Sequence, residues 1–234
     1  AWFAFSGNPF SQTDINIESV PTIPSSSFVL EEQLGQGASG VISKGSWLDN
    51  PLGLAEQVAV KVFKGEVTSD GYPEDELQAC LQVGDHPNLV KSLAYVNDKE
   101  HLALVMNLIP EHYQNLGLPP CFKSCTRDTF AQNFSLPIGL IEKICSQMND
   151  VFVHMHQQQV CHGDIYAHNT LFDDQGNIIF GDFGAATSYQ MLSPAQQTKI
   201  KKIEKRALQH FIDDLLSIRL SIDCTSSQFQ DNKT

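Results

Sequence analysis

The chain has 234 residues, with 15 Lys or Arg against 27 Asp or Glu, so its net charge is −12. This charge argues against a surface that coats nucleic acid and against peripheral binding to anionic lipid, so neither nucleic acid nor a membrane is expected as a partner. With 41% hydrophobic and 18% charged residues, the composition excludes global disorder and suits one domain or a two-lobed unit.

The sequence carries no segment typical of a membrane or secreted protein. No run approaches the roughly 20 apolar residues that a membrane span needs. No basic-then-apolar signal peptide opens the chain, and because it begins with Ala1 we expect a fragment or a processed chain. Its six cysteines are too sparse for a disulfide framework, and the one close pair, Cys121 and Cys125, has no zinc-like partner pair. Free thiols predict a reducing, cytoplasmic location.

Both ends of the chain differ in composition from the middle. Residues 2–10, WFAFSGNPF, resemble the end of a leucine-rich repeat. One partial repeat cannot bury its own apolar face, so 1–10 is interpreted as the remnant of a repeat array that lies upstream. Residues 11–27 are polar and contain prolines and three serines, which predicts a linker. Residues 221–234 form a polar tail.

Between these ends, a strand-rich region precedes a helix-rich one. Short apolar runs rich in β-branched residues, VAVKVF (58–63) and LALVMNLI (102–109), are typical of buried strands. Helical spacing or composition predicts helices over 74–83, 136–159 and 199–220. Residues 111–135 form an irregular insert, and two short strands are predicted over 170–172 and 177–180. We therefore predict an α+β fold with two lobes of different character, spanning 28–107 and 108–220.

The glycines at 35, 37 and 40 form a G-x-G-x-x-G pattern. Glycines let backbone N–H groups approach a phosphate without a Cβ in the way. A dinucleotide-binding turn would require a helix directly after them. Here Val41-Ile42 continues as a strand, and Val58-Ala59-Val60-Lys61 follows as another, which favours a glycine-rich hairpin over phosphates.

The glycine-rich hairpin followed by V-A-x-K resembles the eukaryotic-type protein kinase family. Further motifs of that family follow in order: H-P-N-L-V at 86–90, H-G-D at 162–164 with Asn169 five residues on, and D-F-G at 182–184. Glu204 resembles the acid that opens the buried helix beneath the catalytic loop. The resemblance covers about 28–220 and implies a bilobal kinase-like fold whose helical lobe is truncated.

The resemblance assigns catalytic roles to a few residues. Lys61 would bind the α- and β-phosphates of ATP, and Glu76 is the expected partner that holds it, with Glu74 as the alternative. Asp164 would accept or orient the proton of the attacking hydroxyl. Asn169 and Asp182 would hold Mg²⁺, a hard cation that prefers oxygen ligands. The expected cofactors are therefore ATP and Mg²⁺.

The resemblance also implies an apolar clasp around adenine, and a hinge whose backbone bonds the edge of the base. Met106 would be the gatekeeper at that hinge. The residues expected to bind ATP are Gly35, Gly37, Gly40, Ile42, Ala59, Lys61, Met106, Asn107, Leu108 and Leu171.

Several positions depart from the family pattern. Gly163 replaces the arginine that usually pairs with a phosphate on the activation loop, so no such switch is expected. Tyr166 stands where Ser/Thr kinases carry a lysine on the γ-phosphate. No A-P-E follows D-F-G, and the chain ends soon after Glu204. The H-G-D-x-Y-A-H-N pattern, together with the segment 116–128, resembles leucine-rich-repeat-linked protein kinases of bacteria and plants.

These features predict γ-phosphoryl transfer from Mg·ATP to a protein hydroxyl, with Ser or Thr favoured over Tyr. Two alternatives stay open. A small-molecule phosphotransferase of the aminoglycoside-kinase type is supported by H-G-D, Tyr166 and the short helical lobe. A nucleotide-binding pseudokinase module would bind without catalysis, although every lysine, base and metal position is filled.

Overall fold

The computed structural model describes residues 20–37, 39–48, 50, 57–65, 71–98, 101–124 and 126–220. The predicted repeat remnant, the first part of the predicted linker and the tail at 221–234 lie outside these residues. Within them, no helix is both long and apolar enough to cross a bilayer.

The amino-terminal lobe is built on one antiparallel sheet with the strand order β1-β2-β3-β5-β4. Helix α1 joins β3 to β4 and packs on one face of this sheet. The elements are β1 (Phe28–Gln36), β2 (Gly40–Trp47), β3 (Gln57–Phe63), α1 (Pro73–Val83), β4 (Ser92–Asn97) and β5 (Leu102–Asn107).

Strand β3 is central, and both of its faces are buried. Val58 and Val60 pack with residues of β4 and β5 on one face of the sheet. Ala59 and Phe63 pack with α1 and β5 on the other. Since side chains alternate along a strand, Lys61 lies on the α1 face, between Ala59 and Phe63.

The outer edge of the sheet is covered by the end of the predicted linker. Ile23 is buried, its amide donates to the Tyr95 carbonyl at 2.9 Å, and the Tyr95 amide donates to the Pro21 carbonyl at 3.0 Å. Residues 21–23 thus pair with β4 and belong to the amino-terminal lobe. Their polar, proline-containing composition gives no sign of this contact, because the pairing depends on main-chain groups.

The carboxyl-terminal lobe consists of two long helices and short strands. Strands β6, β8 and β9 form one small antiparallel sheet, and β7 pairs with β10. The bounds are β6 (Gln114–Asn115), α2 (Ile138–Gln157), β7 (Val160–Cys161), β8 (Thr170–Phe172), β9 (Ile178–Phe180), β10 (Thr187–Ser188) and α3 (Pro194–Ser217). The predicted two-lobed α+β fold is thereby confirmed, and the helical lobe has two long helices within the residues that the structure describes.

Helix α2 forms the centre of this lobe. Five apolar residues spaced three or four apart on it are completely buried: Ile141, Ile144, Met148, Val151 and Met155. This spacing places them on one helical face, as the sequence pattern predicts. Helix α3 begins five residues before the predicted start, because Ser193 and Gln196 form a capping box and Pro194 occupies the first turn.

The two lobes are joined through the 86–90 turn. The Phe180 amide donates to the Asn88 carbonyl at 2.8 Å, and the Val90 amide donates to the Phe180 carbonyl at 3.1 Å. The Asn88 side chain donates to Gln147 of α2 and to the Ile178 carbonyl. The end of α1 is therefore fixed against the strand that leads into D-F-G.

Val151→Ala should destabilise the fold more than Val153→Ala. Both residues lie on α2, but Val151 is fully buried whereas Val153 is 44% exposed. The gain in helix propensity is the same at both positions, so the difference isolates burial. We expect it to be about 2 kcal/mol in the free energy of unfolding, measured by urea denaturation. Equal losses would contradict the packing of α2.

Candidate active site

A cavity of about 550 Å³ lies between the β1–β2 hairpin, α1, β5 and the start of D-F-G. Most of the residues predicted to bind ATP line it, and so does one predicted metal ligand. The exception among the ATP residues is Gly35, which pairs with Ile42 across the hairpin and is not part of the lining. The lining includes Gly37, Gly40, Ile42, Ala59, Lys61, Glu76, Met106, Asn107, Leu108, Leu171 and Asp182.

A buried ion pair forms one wall of this cavity. The Lys61 Nζ atom donates to Glu76 Oε1, and the two residues are 7% and 3% exposed. Glu74 is exposed on the same helical turn, so the geometry selects Glu76 as the partner. Glu76 Oε2 is buried and makes no hydrogen bond. An ammonium group has three donors, and those not used by Glu76 can serve an anion in the cavity.

The three glycines of the hairpin serve different purposes. A Cβ on Gly40 would lie 2.6 Å from the Val62 carbonyl oxygen, so close packing on β3 requires glycine there. A Cβ on Gly35 or Gly37 would meet no atom within 4 Å. The Gly37 amide donates to the Gly40 carbonyl at 2.9 Å. Close packing therefore requires glycine at position 40 but not at position 35 or 37.

The hinge follows the end of β5. Met106 is buried and lies opposite Ala59 of β3, as expected for a gatekeeper position. The amide of Asn107 donates to the Lys91 carbonyl at 3.1 Å. This amide is therefore already used, and both Asn107 and Leu108 line the cavity.

Asp164 and Asn169 lie together on the catalytic loop, residues 160–169. Asn169 Nδ2 donates to Asp164 Oδ2 at 2.8 Å and to the Asp164 carbonyl at 3.0 Å. His168 Nε2 lies 3.7 Å from the same Oδ2. Burial would raise the pKa of Asp164, but these contacts with His168 and Asn169 hold it below the ordinary value. Asp164 is thus ionised at neutral pH and able to accept a proton.

The two predicted metal ligands lie on loops joined by one backbone hydrogen bond. The Gly181 amide donates to the Asn169 carbonyl at 3.1 Å, which places Asp182 beside Asn169 in the chain fold. Asp182 is exposed at the cavity and has a left-handed φ of 56°. Because Asn169 uses its Nδ2 atom towards Asp164, its amide oxygen is left as a ligand. A carboxylate and an amide oxygen are the kinds of ligand that Mg²⁺ prefers, so Asp182 and Asn169 are the residues that would hold it.

His162 connects the catalytic loop to the D-F-G segment. It is fully buried, and burial lowers the pKa of its ring, so the imidazole is neutral. Its Nδ1 accepts from the Asp164 amide at 3.3 Å, and its Nε2 donates to the Gly181 carbonyl at 3.0 Å. The side chain thus joins the catalytic loop to D-F-G, which is a scaffold role.

Glu204 of α3 anchors the start of the catalytic loop. Its Oε1 accepts from the His162 amide at 2.6 Å and from the Gly163 amide at 2.9 Å. Its Oε2 lies 2.8 Å from His156 Nε2 of α2. Burial would raise the pKa of Glu204, but the bonds from His156 and the Gly163 amide hold it below the ordinary value. Glu204 thus contacts the catalytic loop as predicted, but it lies in the middle of α3 and does not open a helix, because α3 already begins at Pro194.

The absence of an arginine at position 163 has a steric cause. Gly163 has a φ of 80°, and a Cβ there would lie 2.6 Å from the Ala185 carbonyl oxygen. A residue with a side chain would therefore have a strained backbone at this position, and its Cβ would collide with the Ala185 carbonyl. The loop conformation itself requires glycine.

Sequence reasoning missed three residues near the site. Cys80 lies one helical turn after Glu76 and lines the cavity, which the i, i+4 spacing could have indicated. His168 contacts Asp164 from within the motif. Asp128 of the insert accepts a bond from the Ala167 amide at 2.8 Å, and no local pattern indicates that contact.

Lys61→Met should destabilise the protein, because it leaves the Glu76 carboxylate buried without a partner. Breaking a buried ion pair in this way costs about 3–5 kcal/mol. The double variant Lys61→Met/Glu76→Met removes both charges and should recover most of that loss. Both are measured by chemical denaturation beside the wild type. A single variant as stable as the wild type would contradict a buried, mutually dependent pair.

The stability of the protein should depend on the ionisation of Asp128. Burial raises the pKa of Asp128 from 3.8 to about 6, and the nearby carboxylates of Asp214 and Asp164 also raise it. The hydrogen bond from the Ala167 amide and the charge of His168 lower it, but by less. The folded state therefore holds this proton more tightly than the unfolded state. Protonated Asp128 therefore adds to the free energy of unfolding at pH values below its pKa in the unfolded state, and this addition is lost as pH rises through its pKa in the folded state.

Asp128→Asn cannot ionise, so its melting temperature relative to the wild type should rise between about pH 4 and about pH 7. The measurement is a series of thermal melts over that range. Asp174→Asn, which changes an exposed carboxylate on the β8–β9 turn, serves as the control and should show no such trend. A constant difference for Asp128→Asn would contradict the raised pKa.

The chain is similar to known proteins over most of its described length. A family model described as the protein kinase domain matches residues 28–203. MAP3K epsilon protein kinase 1 of Arabidopsis thaliana is 28% identical over 166 residues, which cover 68% of this chain and 11% of that protein. Cytokinesis protein sepH of Aspergillus terreus is 32% identical over 171 residues, which cover 71% and 11%.

A putative receptor-like protein kinase of Arabidopsis thaliana is 27% identical over 178 residues, covering 73% of this chain and 18% of that protein. The chain thus spans less than a fifth of the length of these relatives. The family match begins at the first strand and ends within α3, so it includes the cavity, the catalytic loop and D-F-G. The resemblance to the protein kinase family is confirmed, and the chain belongs to that family.

Proposed function

We propose that the chain is an ATP-dependent protein kinase that transfers the γ-phosphoryl group of Mg·ATP to a serine or threonine hydroxyl. The observation that carries this proposal is the buried Lys61–Glu76 pair on the wall of a cavity that Asp182 also lines. The paired Asp164 and Asn169 are connected to the same site through the Gly181 amide.

The cavity suits a nucleotide in two parts. Ile42, Ala59 and Leu171 supply apolar surface for an adenine ring, and the hinge backbone lies beside them. Lys61, Gly37 and Gly40 also line the cavity and would contact the phosphates. Phosphoryl transfer depends mainly on positioning and on charge stabilisation. The ammonium group of Lys61 would stabilise the phosphate charge, and Glu76 holds that group in place.

The residues of the catalytic loop have separate roles in the transfer. Asn169 and Asp182 would hold Mg²⁺, which neutralises charge on the phosphate oxygens when bound. The contacts of Asn169 and His168 reach Asp164 Oδ2, so Oδ1 is left to accept from the incoming hydroxyl. As the acceptor oxygen forms its bond to the γ-phosphorus, the bond to the β–γ bridging oxygen breaks. The hydroxyl proton passes to Asp164, and ADP leaves.

The names of the relatives and two sequence motifs support a protein as the phosphoryl acceptor. Two of the three relatives above bear names that describe them as protein kinases. The H-P-N-L-V turn and the V-A-V-K strand also resemble protein kinases rather than metabolite kinases. A cytoplasmic location is proposed with it, supported by the free thiols of Cys80, Cys121, Cys145 and Cys161.

A small-molecule phosphotransferase is the second candidate. It is favoured by the short connection between D-F-G and α3, residues 185–193, which leaves little surface on which a peptide could dock. Radiolabelled ATP offered with protein pools and with metabolite pools separates the two acceptor classes. Label on metabolites alone would exclude the protein kinase proposal.

Asp164→Asn and Asp182→Asn should each abolish most turnover without lowering the melting temperature. Asp164 is partly exposed and Asp182 is exposed, so neither variant leaves a buried charge unpaired. Loss of a general base costs about 10²–10⁴-fold in rate. Turnover is measured with ATP and a generic protein substrate, and Asp174→Asn is the matched control.

Nucleotide binding distinguishes the two variants. Asp164→Asn should keep the thermal stabilisation that ATP and Mg²⁺ give to the wild type, whereas Asp182→Asn should lose the part that depends on Mg²⁺. Wild-type turnover in folded Asp182→Asn protein would reject its role as a metal ligand. Stabilisation by ATP without any turnover in the wild type would favour the pseudokinase.

A further inference from the structure

The insert contains a segment, residues 116–128, of which the structure describes 116–124 and 126–128; its first two residues and its last residue contact the catalytic loop or the residue that follows it. We propose that this segment is a clamp whose residues Gly117 and Asp128 position the catalytic loop for phosphoryl transfer. The inference rests on the proposed kinase function, because it concerns the geometry of Asp164 and Asn169. The segment is called the 116–128 clamp below.

The amino-terminal end of the clamp lies directly against the loop. The Leu116 amide donates to the Thr170 carbonyl at 2.9 Å, and the Gly117 amide donates to the Ala167 carbonyl at 3.0 Å. A Cβ on Gly117 would lie 2.7 Å from the Ala167 Cβ and 2.9 Å from the His168 amide nitrogen. This close approach leaves no room for any side chain at position 117.

The carboxyl-terminal end of the clamp reaches the same residue from another direction. Asp128 Oδ1 accepts from the Ala167 amide at 2.8 Å. The Asp128 amide donates to Asp214 Oδ2 of α3 at 3.0 Å, and Arg127 binds both carboxylate oxygens of Asp214. The clamp therefore ties the loop to a carboxylate of α3 that is itself buried.

Both main-chain polar groups of Ala167 are thus bonded to the clamp. Ala167 is completely buried and lies in the 3₁₀ turn that ends at Asn169. Glu204 holds the other end of the loop through the amides of His162 and Gly163. Asp164 lies between these two anchors, and Asn169 lies between Ala167 and Thr170, both of which the clamp contacts, so the clamp sets where Asn169 stands relative to Asp164.

The role of Asp128 is to accept a hydrogen bond from the Ala167 amide, and this role depends on its oxygen atom rather than on its charge. Its acceptor oxygen holds a buried amide that would otherwise lack a partner, and an orphaned buried donor disturbs the backbone around it. A displacement of about 1 Å at a reacting group can cost roughly 10²-fold in rate. The clamp residues act through Asn169 and Asp164 and touch no reactant, so they are positioning residues.

Asp128→Ala and Asp128→Asn test the proposal as a pair. Asp128→Ala removes the acceptor of the Ala167 amide and should lower kcat about tenfold, while KM for ATP changes by less than about twofold. Asp128→Asn keeps an oxygen at that place and should restore kcat to within about threefold of the wild type. Rates are taken per folded molecule at a temperature well below both melting points.

Gly117→Ala tests the other end of the clamp. The added methyl group must push the clamp away from Ala167, and kcat should fall as in Asp128→Ala. Gly139→Ala is the matched control, since a Cβ there meets no atom within 4 Å, and it should retain the wild-type rate. A Gly117→Ala enzyme with wild-type kcat would overturn the role of that end.

Hydrogen exchange at the Ala167 amide gives a readout that needs no catalysis. Its protection should drop in Asp128→Ala and return in Asp128→Asn. If the wild type transfers no phosphoryl group, the proposed function fails, yet this exchange still decides whether the clamp holds the loop. Unchanged protection and unchanged kcat in Asp128→Ala would overturn the inference.

Discussion

The catalytic loop depends on one buried carboxylate, that of Glu204. Burying an ionised carboxylate is unfavourable unless its oxygens find donors. Here two loop amides, the Cys161 thiol and the His156 ring surround it. Since the donors come from α2 and from the loop, and the carboxylate from α3, the three segments are fixed together. No single one of them can shift without leaving a charge unpaired.

The same principle operates in the amino-terminal lobe. Lys61 and Glu76 are buried together, one on a central strand and one on α1. Their mutual attraction fixes α1 against the sheet, and Phe63 packs beside the ammonium at 5.4 Å. Each lobe therefore has a buried carboxylate whose donors come from a different segment of the chain and fix that segment in place. Between the lobes, the hydrogen bonds of Phe180 with Asn88 and Val90 fix the strand that leads into the D-F-G segment.

Sequence reasoning predicted the fold class and the members of the site because motif order and strand parity contain that information. Alternation along V-A-V-K places Lys61 on the same face as Ala59, and the structure has it there. The choice between Glu74 and Glu76 needed the helix phase, which the structure provides. The contacts of residues 21–23 and of Asp128 could not be predicted, because each involves a main-chain group that is distant in sequence from its partner. The early start of α3 had a readable signal in Ser193-Pro194 and Gln196.

The left-handed turn at Gly163 limits how this protein can evolve. In many proteins a new control point arises when one surface residue acquires a charge that can bind a modified neighbour. That route is closed here, since any side chain at 163 would collide with the Ala185 carbonyl. Two loops would have to be rebuilt at once before an arginine could be tolerated. A charge that binds a modified neighbour would therefore have to come from a position other than 163.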